Sequence, residues 1–346
     1  MILVCGEALI DLFVNDGPLG GLKTEVALGG SPFNVAIALS RLGERSSFYG
    51  GISTDHFGYA LRETLASEGV DLAYAVRSGR LTTISVVATD ETGHPAYSFH
   101  GEGKADRQVT EADLPPMLPD TIEAITFGSY TMAVAPVANT YLALARRESE
   151  RLTISIDPNV RPTVTPDMKE WRDRFETFLP YASIVKASDE DLVTAYGPDV
   201  DVEGLVRHWH TAGPSLILVT HGATGATGYL RGHTPVAVPG RKVVVVDTVG
   251  AGDTFHAAAL AYLAKIGRLA RCRFQDLTIA ELQQTLRYAV AASSITCTRQ
   301  GANVPTDAEV QSALVEEAPE SDAAAAKRFM KALSAALLHR SISVRT

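Results

Sequence analysis

A carboxylate among glycines is the feature of this sequence that points most directly to chemistry. Asp253 closes the run Gly-Ala-Gly-Asp at residues 250–253, and strong helix formers follow at residues 257–264. The amides of this run would lie at the positive end of a helix dipole, which suits a phosphate or a developing anion. A phosphate repels a carboxylate beside it, so this placement needs an explanation. The carboxylate could take a proton from a hydroxyl that attacks phosphorus. The pattern therefore predicts phosphoryl transfer, with Asp253 as the base.

The elements around this run are predicted from the same stretch of sequence. Residues 242–246 are Lys followed by four β-branched valines, and they predict a buried strand. Gly267 predicts the end of the helix that follows. A glycine-rich turn that merely starts a helix is the plain alternative. Phe255 stands where a dinucleotide-binding fingerprint has its third glycine, and no Gly-Lys-Ser/Thr of a Walker A loop follows.

A second glycine-rich stretch lies near the N-terminus. Gly29 and Gly30 precede Ser31, a predicted N-cap, and a predicted helix at residues 33–42. The glycines would bring backbone amides close to a small ligand, and Asn34 would lie beside them in the first turn. A tight turn before a capped helix also explains the glycines, but not Asn34.

Earlier in the chain, Asp11 follows a predicted buried strand at residues 2–5, where a buried carboxylate needs a partner. A turn-forming aspartate is the alternative explanation for Asp11.

The rest of the chain alternates between predicted strands and helices. Buried strands are predicted at residues 124–127, 152–156, 183–186 and 216–219, each followed by polar residues or glycine. Because ligands bind beyond the carboxyl ends of parallel strands, these ends and Asp247 should border one crevice.

A different pattern occupies residues 82–99. Two β-branched or aromatic runs there flank a turn at residues 90–93 and predict a hairpin. With strands near residues 12–14 and 25–27, the hairpin would form a small sheet separate from the main core. An ordinary edge hairpin is the alternative.

Composition limits the function classes. The chain has 346 residues, 46% of them hydrophobic, which allows two domains or one large α/β domain. A net charge of −9 without a basic stripe argues against a nucleic-acid partner. No apolar run has membrane-spanning length, the N-terminus lacks a signal peptide's basic region, and three scattered cysteines suggest neither a zinc site nor disulfides. We therefore expect a reduced, soluble, cytoplasmic protein.

Residues 247–255 resemble the second signature of the ribokinase-like sugar kinases, the PfkB carbohydrate kinase family, whose usual form is Asp-Thr-x-Gly-Ala-Gly-Asp-x-Phe. Residues 29–36 resemble the first signature, Gly-Gly-x-x-x-Asn-x-Ala, and residues 50–58 resemble a segment that packs beside the sugar site. The resemblance covers roughly residues 1–307. It implies a three-layer α/β/α sandwich with a mostly parallel central sheet and a small β-sheet lid.

The implied domain boundaries follow from the same resemblance. The kinase domain would span residues 1–310, with lid strands at about residues 12–27 and 82–100 inserted in it. Residues 311–346 would form a C-terminal helical extension or tail.

The resemblance implies phosphoryl transfer from MgATP to a sugar hydroxyl, and it assigns roles to matching positions. Catalysis is implied for Asp253, for the amides of Gly250, Ala251 and Gly252, and for Arg161 at the phosphates; sugar binding for Asp11, Gly29, Gly30, Asn34, Phe99 and Asn159; nucleotide binding for Lys186, Ser188, Thr220, Gly222, Gly225, Gly301 and Ala302; Mg²⁺ through water for Asp191; and a monovalent cation such as K⁺ for Asp247.

On the nucleotide side, three positions depart from the family pattern. Ser188 and Asp191 replace the family's Asn and Glu, and Val290 replaces an Asn that many fructokinases carry near the adenine.

The implied acceptor is a neutral sugar. Residues 157–161 have the form common in bacterial fructokinases and 2-keto-3-deoxygluconate kinases. In the lid, His100 and Gly101 replace a Tyr and an Arg, and that Arg would help to hold the carboxylate of a sugar acid. Fructose is therefore favoured over a sugar acid, ribose or a nucleoside, although Lys104 could serve an acid instead.

Other classes remain as alternatives. A 2-keto-3-deoxygluconate kinase and a ribokinase or nucleoside kinase share the fold. A non-catalytic sugar sensor conflicts with the intact Asp253, and a nucleotide-linked oxidoreductase lacks the glycine fingerprint near the first strand. The partners implied are a small-molecule sugar and ATP, with neither nucleic acid nor membrane, and a homodimer formed through the lid.

Overall fold

An eight-stranded sheet forms the centre of the molecule, of which a computed structural model describes residues 1–16, 21–89 and 95–316. Its parallel strands are β1 (Ile2–Cys5), β4 (Ser46–Tyr49), β9 (Ala124–Gly128), β10 (Thr153–Asp157), β11 (Ile184–Ser188) and β12 (Leu216–Thr220). Two antiparallel strands, β13 (Gly225–Leu230) and β14 (Val236–Pro239), extend one edge. The order across the sheet is β14-β13-β12-β11-β10-β9-β1-β4.

Helices cover both faces of this sheet. One core contains side chains from α1 (Ser31–Arg41), α2 (His56–Ser67), α7 (Ala251–Lys265), α8 (Arg271–Phe274), α9 (Ile279–Cys297) and α10 (Asp307–Glu316). The other contains side chains from α3 (Val137–Glu148), α4 (Met168–Glu176), α5 (Asp189–Tyr196) and α6 (Val202–Ala212). The three-layer prediction is therefore confirmed.

The central strands were predictable because they are buried on both faces. Along β12, Leu216 and Leu218 face one core, while Ile217 and Val219 face the other. Such strands have continuous apolar sequences rather than alternating ones. The four strands predicted between residues 124 and 219 are confirmed.

A separate four-stranded sheet forms the lid. Its strands are β2 (Leu9–Asp16), β3 (Leu22–Gly29), β7 (Ile84–Thr89) and β8 (Pro95–His100), in the order β3-β2-β7-β8. The predicted hairpin is the antiparallel pair β7–β8, and its turn at residues 90–93 lies outside the described residues. Asp11 lies within β2, opposite Ala27 and Ser85, so it belongs to the lid.

Residues 242–246 do not form the buried strand that their β-branched sequence predicted. They have no regular structure, and the Val244 side chain is 84% exposed. The reason is that β14 already ends the sheet at this edge, so the segment has no neighbouring strand in the described part of the chain. It is tied instead to the end of α9, where Val246 N donates to Cys297 O at 2.8 Å.

The start of α1 also differs from its prediction. The helix begins at Ser31, with Gly30 as its N-cap, and the Ser31 side chain makes no capping hydrogen bond. Its hydroxyl donates instead to Asp253 on α7. The helix ends near Gly43, and α7 ends near Gly267, as predicted; both glycines have a positive φ, of 85° and 70°.

The predicted C-terminal boundary falls within a helix. Helix α10 crosses the position between residues 310 and 311, and Val310 is completely buried against α9 and its neighbours. The kinase body therefore continues at least to Glu316. The predicted helix beyond this point, including the Asp322 cap, lies outside the described residues.

A search of the described residues for a helix long and apolar enough to span a membrane found none.

Asp55 connects the body to the lid. Its side chain caps α2 by accepting from Gly58 N at 2.8 Å, and it also accepts from Thr82 N at 2.8 Å and Thr82 Oγ1 at 2.7 Å, just before β7. Burial alone would raise the pKa of Asp55, but these donors outweigh it and the pKa is lowered. One carboxylate thus fixes where the lid strand leaves the body.

We expect Asp55→Ala to lower the free energy of unfolding by about 2 kcal/mol, since it removes a helix cap and leaves the Thr82 amide unpaired. Asp201→Ala is the matched control, because Asp201 caps α6 through Gly204 N alone and is exposed. The control should lose about 1 kcal/mol. Urea unfolding measures both, and equal losses would contradict a role for Asp55 beyond capping.

Candidate active site

Asp253 lies in the first turn of α7, where it meets the first turn of α1. Its side chain is buried, Ser31 Oγ donates to its Oδ1 at 2.6 Å, and Asn34 Nδ2 donates to its Oδ2 at 2.8 Å. Burial raises the pKa of Asp253 above its usual value, although these two hydrogen bonds oppose the shift. The two glycine-rich stretches predicted to form a site are thus brought together on one carboxylate.

Backbone amides surround this carboxylate. Gly250 has φ of 75°, the left-handed conformation that favours glycine, and an added Cβ would lie 2.5 Å from the Ala302 Cβ. The Ala251 amide already donates to Thr248 O at 3.2 Å, whereas those of Gly252 and Asp253 donate to no acceptor in the described part of the chain. Among the described residues, the amides without an acceptor are therefore those of Gly250 and Gly252 from the predicted set, together with that of Asp253.

A buried ion pair lies beneath this turn. Lys186 Nζ on β11 is 3.0 Å from Asp157 Oδ2 at the end of β10, and both side chains are buried. Burial favours the neutral form of each, but their mutual attraction dominates: the pKa of Asp157 is lowered and that of Lys186 is raised. A Cβ added at Gly252 would lie 3.2 Å from Lys186 Nζ, so the ammonium group lies directly under the anion-binding turn.

His256 completes the buried cluster from the next turn of α7. Its Nε2 is 2.8 Å from Ser155 Oγ, and its Nδ1 is 3.4 Å from Asp157 Oδ2. At this distance the imidazole and carboxylate attract each other, but their geometry is not that of a hydrogen bond. Within the described residues, Asp157 Oδ1 and His256 Nδ1 are buried and have no hydrogen-bond partner.

The sugar-binding residues predicted on the lid converge on the same place. A Cβ added at Gly29 would lie 2.4 Å from Asp11 Oδ2, so only glycine leaves room for the Asp11 side chain. Burial raises the pKa of Asp11, while a hydrogen bond with Ser85 and the charge of Arg161 lower it. The charge of Asp253 also raises the pKa of Asp11.

Phe99 and Asn159 border this region. Phe99 on β8 packs edge-on against Tyr130, with ring centroids 5.8 Å apart. Tyr130 in turn donates to Asp106 Oδ2 at 2.6 Å, which links the lid to the body. Asn159 follows β10 in the left-handed conformation, with φ of 44°, uncommon for a residue other than glycine.

Glu7 is a site residue that the sequence analysis missed. It is only 1% exposed, accepts from Ser31 N at 3.3 Å, and its pKa is raised to about 8, chiefly by burial. It also interacts with Ser129, a non-glycine residue with φ of 62°. The signal available was an acidic residue directly after the apolar strand β1.

The predicted nucleotide side is formed by the next strand ends. Ser188 and Asp191 form a capping box on α5, and Asp191 Oδ1 also accepts from Val160 N at 2.7 Å. Thr220 ends β12, and Gly222 and Gly225 flank the short turn into β13. No cluster of three or more metal-binding side chains occurs among the described residues.

Asp247 joins this side to the anion-binding turn. Its Oδ1 accepts from Val249 N at 3.0 Å and its Oδ2 from Gly301 N at 2.8 Å. Because Ala302 also packs against Gly250, the Gly301–Ala302 segment and the turn before α7 form one unit.

Comparison with known proteins identifies the family. The family model described as pfkB family carbohydrate kinase matches residues 1–309. The chain belongs to the pfkB family of carbohydrate kinases.

Named relatives of this pfkB kinase are similar over most of its length. A fructokinase from Rhizobium leguminosarum bv. trifolii is 43% identical over 263 residues, covering 76% of this chain and 79% of the relative. A fructokinase from Klebsiella pneumoniae is 34% identical and covers 87% and 94%. The crystal structure of Xylella fastidiosa fructokinase with bound ATP superposes with a TM-score of 0.84 at 29% identity, covering 91% and 98%.

The family confirms the resemblance found in the sequence. This pfkB kinase is an ATP-dependent sugar kinase, a phosphotransferase whose acceptor is an alcohol group. The oxidoreductase alternative is thereby removed.

We expect Asp253→Asn to lower kcat by about 10²–10⁴, the usual contribution of a positioned base. Asparagine has nearly the same shape, so the fold and the affinity for sugar should be kept. ADP release measures kcat, and calorimetry measures sugar binding. Asp276→Asn, at an exposed position, is the control. A variant retaining more than about a third of kcat would rule out Asp253 as the base.

Proposed function

We propose that this kinase transfers the γ-phosphoryl group of ATP to a hydroxyl of fructose. The observation that carries the proposal is the position of Asp253 at the start of α7. Its carboxylate accepts hydrogen bonds from two side chains of α1, free backbone amides lie beside it, and its charge acts on Asp11 of the lid. The fructokinase names of the relatives support the choice of sugar. A Vibrio cholerae fructokinase solved with fructose, ADP and calcium, at 26% identity and a TM-score of 0.76, supports it further.

In the proposed reaction Asp253 takes the proton of the attacking hydroxyl. The sugar oxygen then forms a bond with the γ-phosphorus while the bond between that phosphorus and the β,γ-bridging oxygen breaks, and ADP leaves. The amides at the start of α7 stabilise the charge that develops on the transferred group. Asp11, Gly29, Gly30, Asn34, Phe99 and Asn159 are the proposed sugar-binding residues.

The nucleotide would lie beyond the ends of β11 and β12. Its proposed binding residues are Ser188, Thr220, Gly222, Gly225, Gly301 and Ala302, with Lys186 acting from below through its charge. Mg²⁺ would neutralise the phosphate charge, and Asp191 would hold it through water. Both Asp247 oxygens and Asp191 Oδ1 fit a hard cation, because each accepts only one hydrogen bond and keeps a lone pair, whereas Asp191 Oδ2 already accepts two from Ser188. A K⁺ at Asp247 is the proposed monovalent site.

Assembly and location complete the proposal. Leu22 and Val26 on β3 are 70% and 50% exposed, and pairing of two lids would cover these apolar side chains. Light scattering would reject the homodimer if the protein has the mass of one chain at micromolar concentration. Since ATP is the donor, the cytoplasm is the proposed place of action.

Fructose should be phosphorylated with at least about tenfold higher kcat/KM than 2-keto-3-deoxygluconate, a difference of roughly 1.4 kcal/mol. The reason is that His100 and Gly101 replace the Tyr and Arg of the family pattern, of which the Arg would help to hold a carboxylate. The Arg107 guanidinium lies beside Gly101, but it stacks over the Tyr130 ring. Competition between the two sugars at limiting ATP, analysed by mass spectrometry, measures the ratio. Lys104→Gln, which removes the alternative cation, should keep the preference. Preferential use of the acid would overturn the assignment.

Arg161→Lys should lower kcat/KM for ATP by about tenfold and leave the KM for sugar unchanged, because the bidentate guanidinium is lost. The Arg161 charge lowers the pKa of both Asp11 and Glu7, which supports a role for Arg161 between the sugar and the phosphates. Arg174→Lys is the control, since Arg174 bonds only the exposed Asn139 side chain among the described contacts. Steady-state kinetics equal to those of the wild type would show that Arg161 does not bind phosphate.

A further inference from the structure

The two donors to Asp253 differ in their chemistry. Asn34 approaches Oδ2 with an amide N–H, which can only donate. Ser31 approaches Oδ1 with a hydroxyl, which can donate or accept. While Asp253 is a carboxylate, both groups donate and the difference has no effect.

The difference matters once Asp253 has taken the sugar proton. A carboxylic acid carries one O–H donor, and a proton directed at Asn34 would face the amide hydrogen. A proton directed at Ser31 meets a hydroxyl that can rotate and accept it. The Ser31 hydrogen must then turn to another acceptor, because a buried donor left unpaired is costly.

A small cavity next to Ser31 offers that acceptor. Most of its lining is apolar, but the side chains of Ser31, Thr126, Asp157 and His256 also border it, and its volume of about 10 Å³ is just enough for one water molecule. It also borders Asp157 and His256, whose Oδ1 and Nδ1 are buried without a partner in the described part of the chain. A water there would pair these atoms and accept from the rotated hydroxyl.

We propose that Ser31 is a positioning residue for Asp253, donating to its carboxylate before phosphoryl transfer and accepting from its carboxylic acid afterwards, with a water between Asp157 and His256 as the second partner of the hydroxyl. The inference rests on the proposed role of Asp253 as base.

The charges around Asp253 set the expected pH dependence. Asp157 and Asp11 face it as anions from β10 and β2, Lys186 faces it as a cation from β11, and His256 lies on its own helix. Glu7, which follows β1 and whose pKa is raised to about 8, accepts from Ser31 N at 3.3 Å. These groups stay in place when Ser31 is changed. Loss of the Ser31 donor therefore raises the pKa of Asp253, and the acid limb of kcat, which falls as Asp253 is protonated, moves to higher pH.

The test compares Ser31→Ala, Ser31→Thr and Ser40→Ala over a range of pH. Ser31→Ala should lower kcat by about tenfold, change the KM for sugar less, and shift the acid limb upwards. Ser31→Thr keeps the hydroxyl and should restore both. Ser40 lies on the same helix and donates to Glu68 O, away from the site, so Ser40→Ala should match the wild type.

Either of two results would overturn the inference. The first is that the acid limb of kcat for Ser31→Ala stays at its wild-type pH. The second is that Ser31→Thr is as impaired as Ser31→Ala, which would show that the volume of the side chain matters rather than its hydroxyl. Both leave the base itself untouched, since that role fails only if Asp253→Asn stays active. Thermal melting of each variant separates a loss of fold from a loss of chemistry.

Discussion

Two hydrogen bonds from the first turn of α1 to Asp253 bring the site together. They connect residues more than two hundred positions apart and set the N-terminal ends of α1 and α7 against each other. The positive ends of two helix dipoles therefore meet at one carboxylate. This arrangement stabilises the charge on a base that burial would otherwise neutralise, and it leaves the α7 amides free for phosphate.

The buried pair of Asp157 and Lys186 supports this arrangement from below. Either charge alone would be costly in the core, and removing one partner would leave the other uncompensated. The pair joins the ends of neighbouring strands β10 and β11 directly under the turn that carries Asp253. The sheet thus contributes a buried ion pair, with its ammonium group towards the turn, as well as a platform.

The family resemblance implied the three layers and assigned both glycine-rich stretches to the site, while sequence patterns predicted the parallel strands and the glycine turns. They did so because continuous apolar runs and glycine positions depend on local conformation and burial. The same patterns were wrong for residues 242–246, because strand formation also needs a neighbour and β14 already ended the sheet. Ser31 was predicted as a cap, yet its hydroxyl bonds to Asp253, a partner that no local pattern specifies. Glu7 and His256 were missed for the same reason, since their importance comes from burial beside distant residues.

The attachment of the lid determines which part of it can move. Asp55 holds Thr82, Thr83 Oγ1 donates to Asp106, and Ile10 N donates to Thr83 O at 3.1 Å. Any rocking of the lid must therefore pivot at this base, where β2 and β7 leave the body. Asp11 lies next to this base and would be displaced little by such a movement, whereas the far ends of the strands would be displaced most. A lid hinged there would keep Asp11 near Asp253 even if the far ends of its strands moved away from the body.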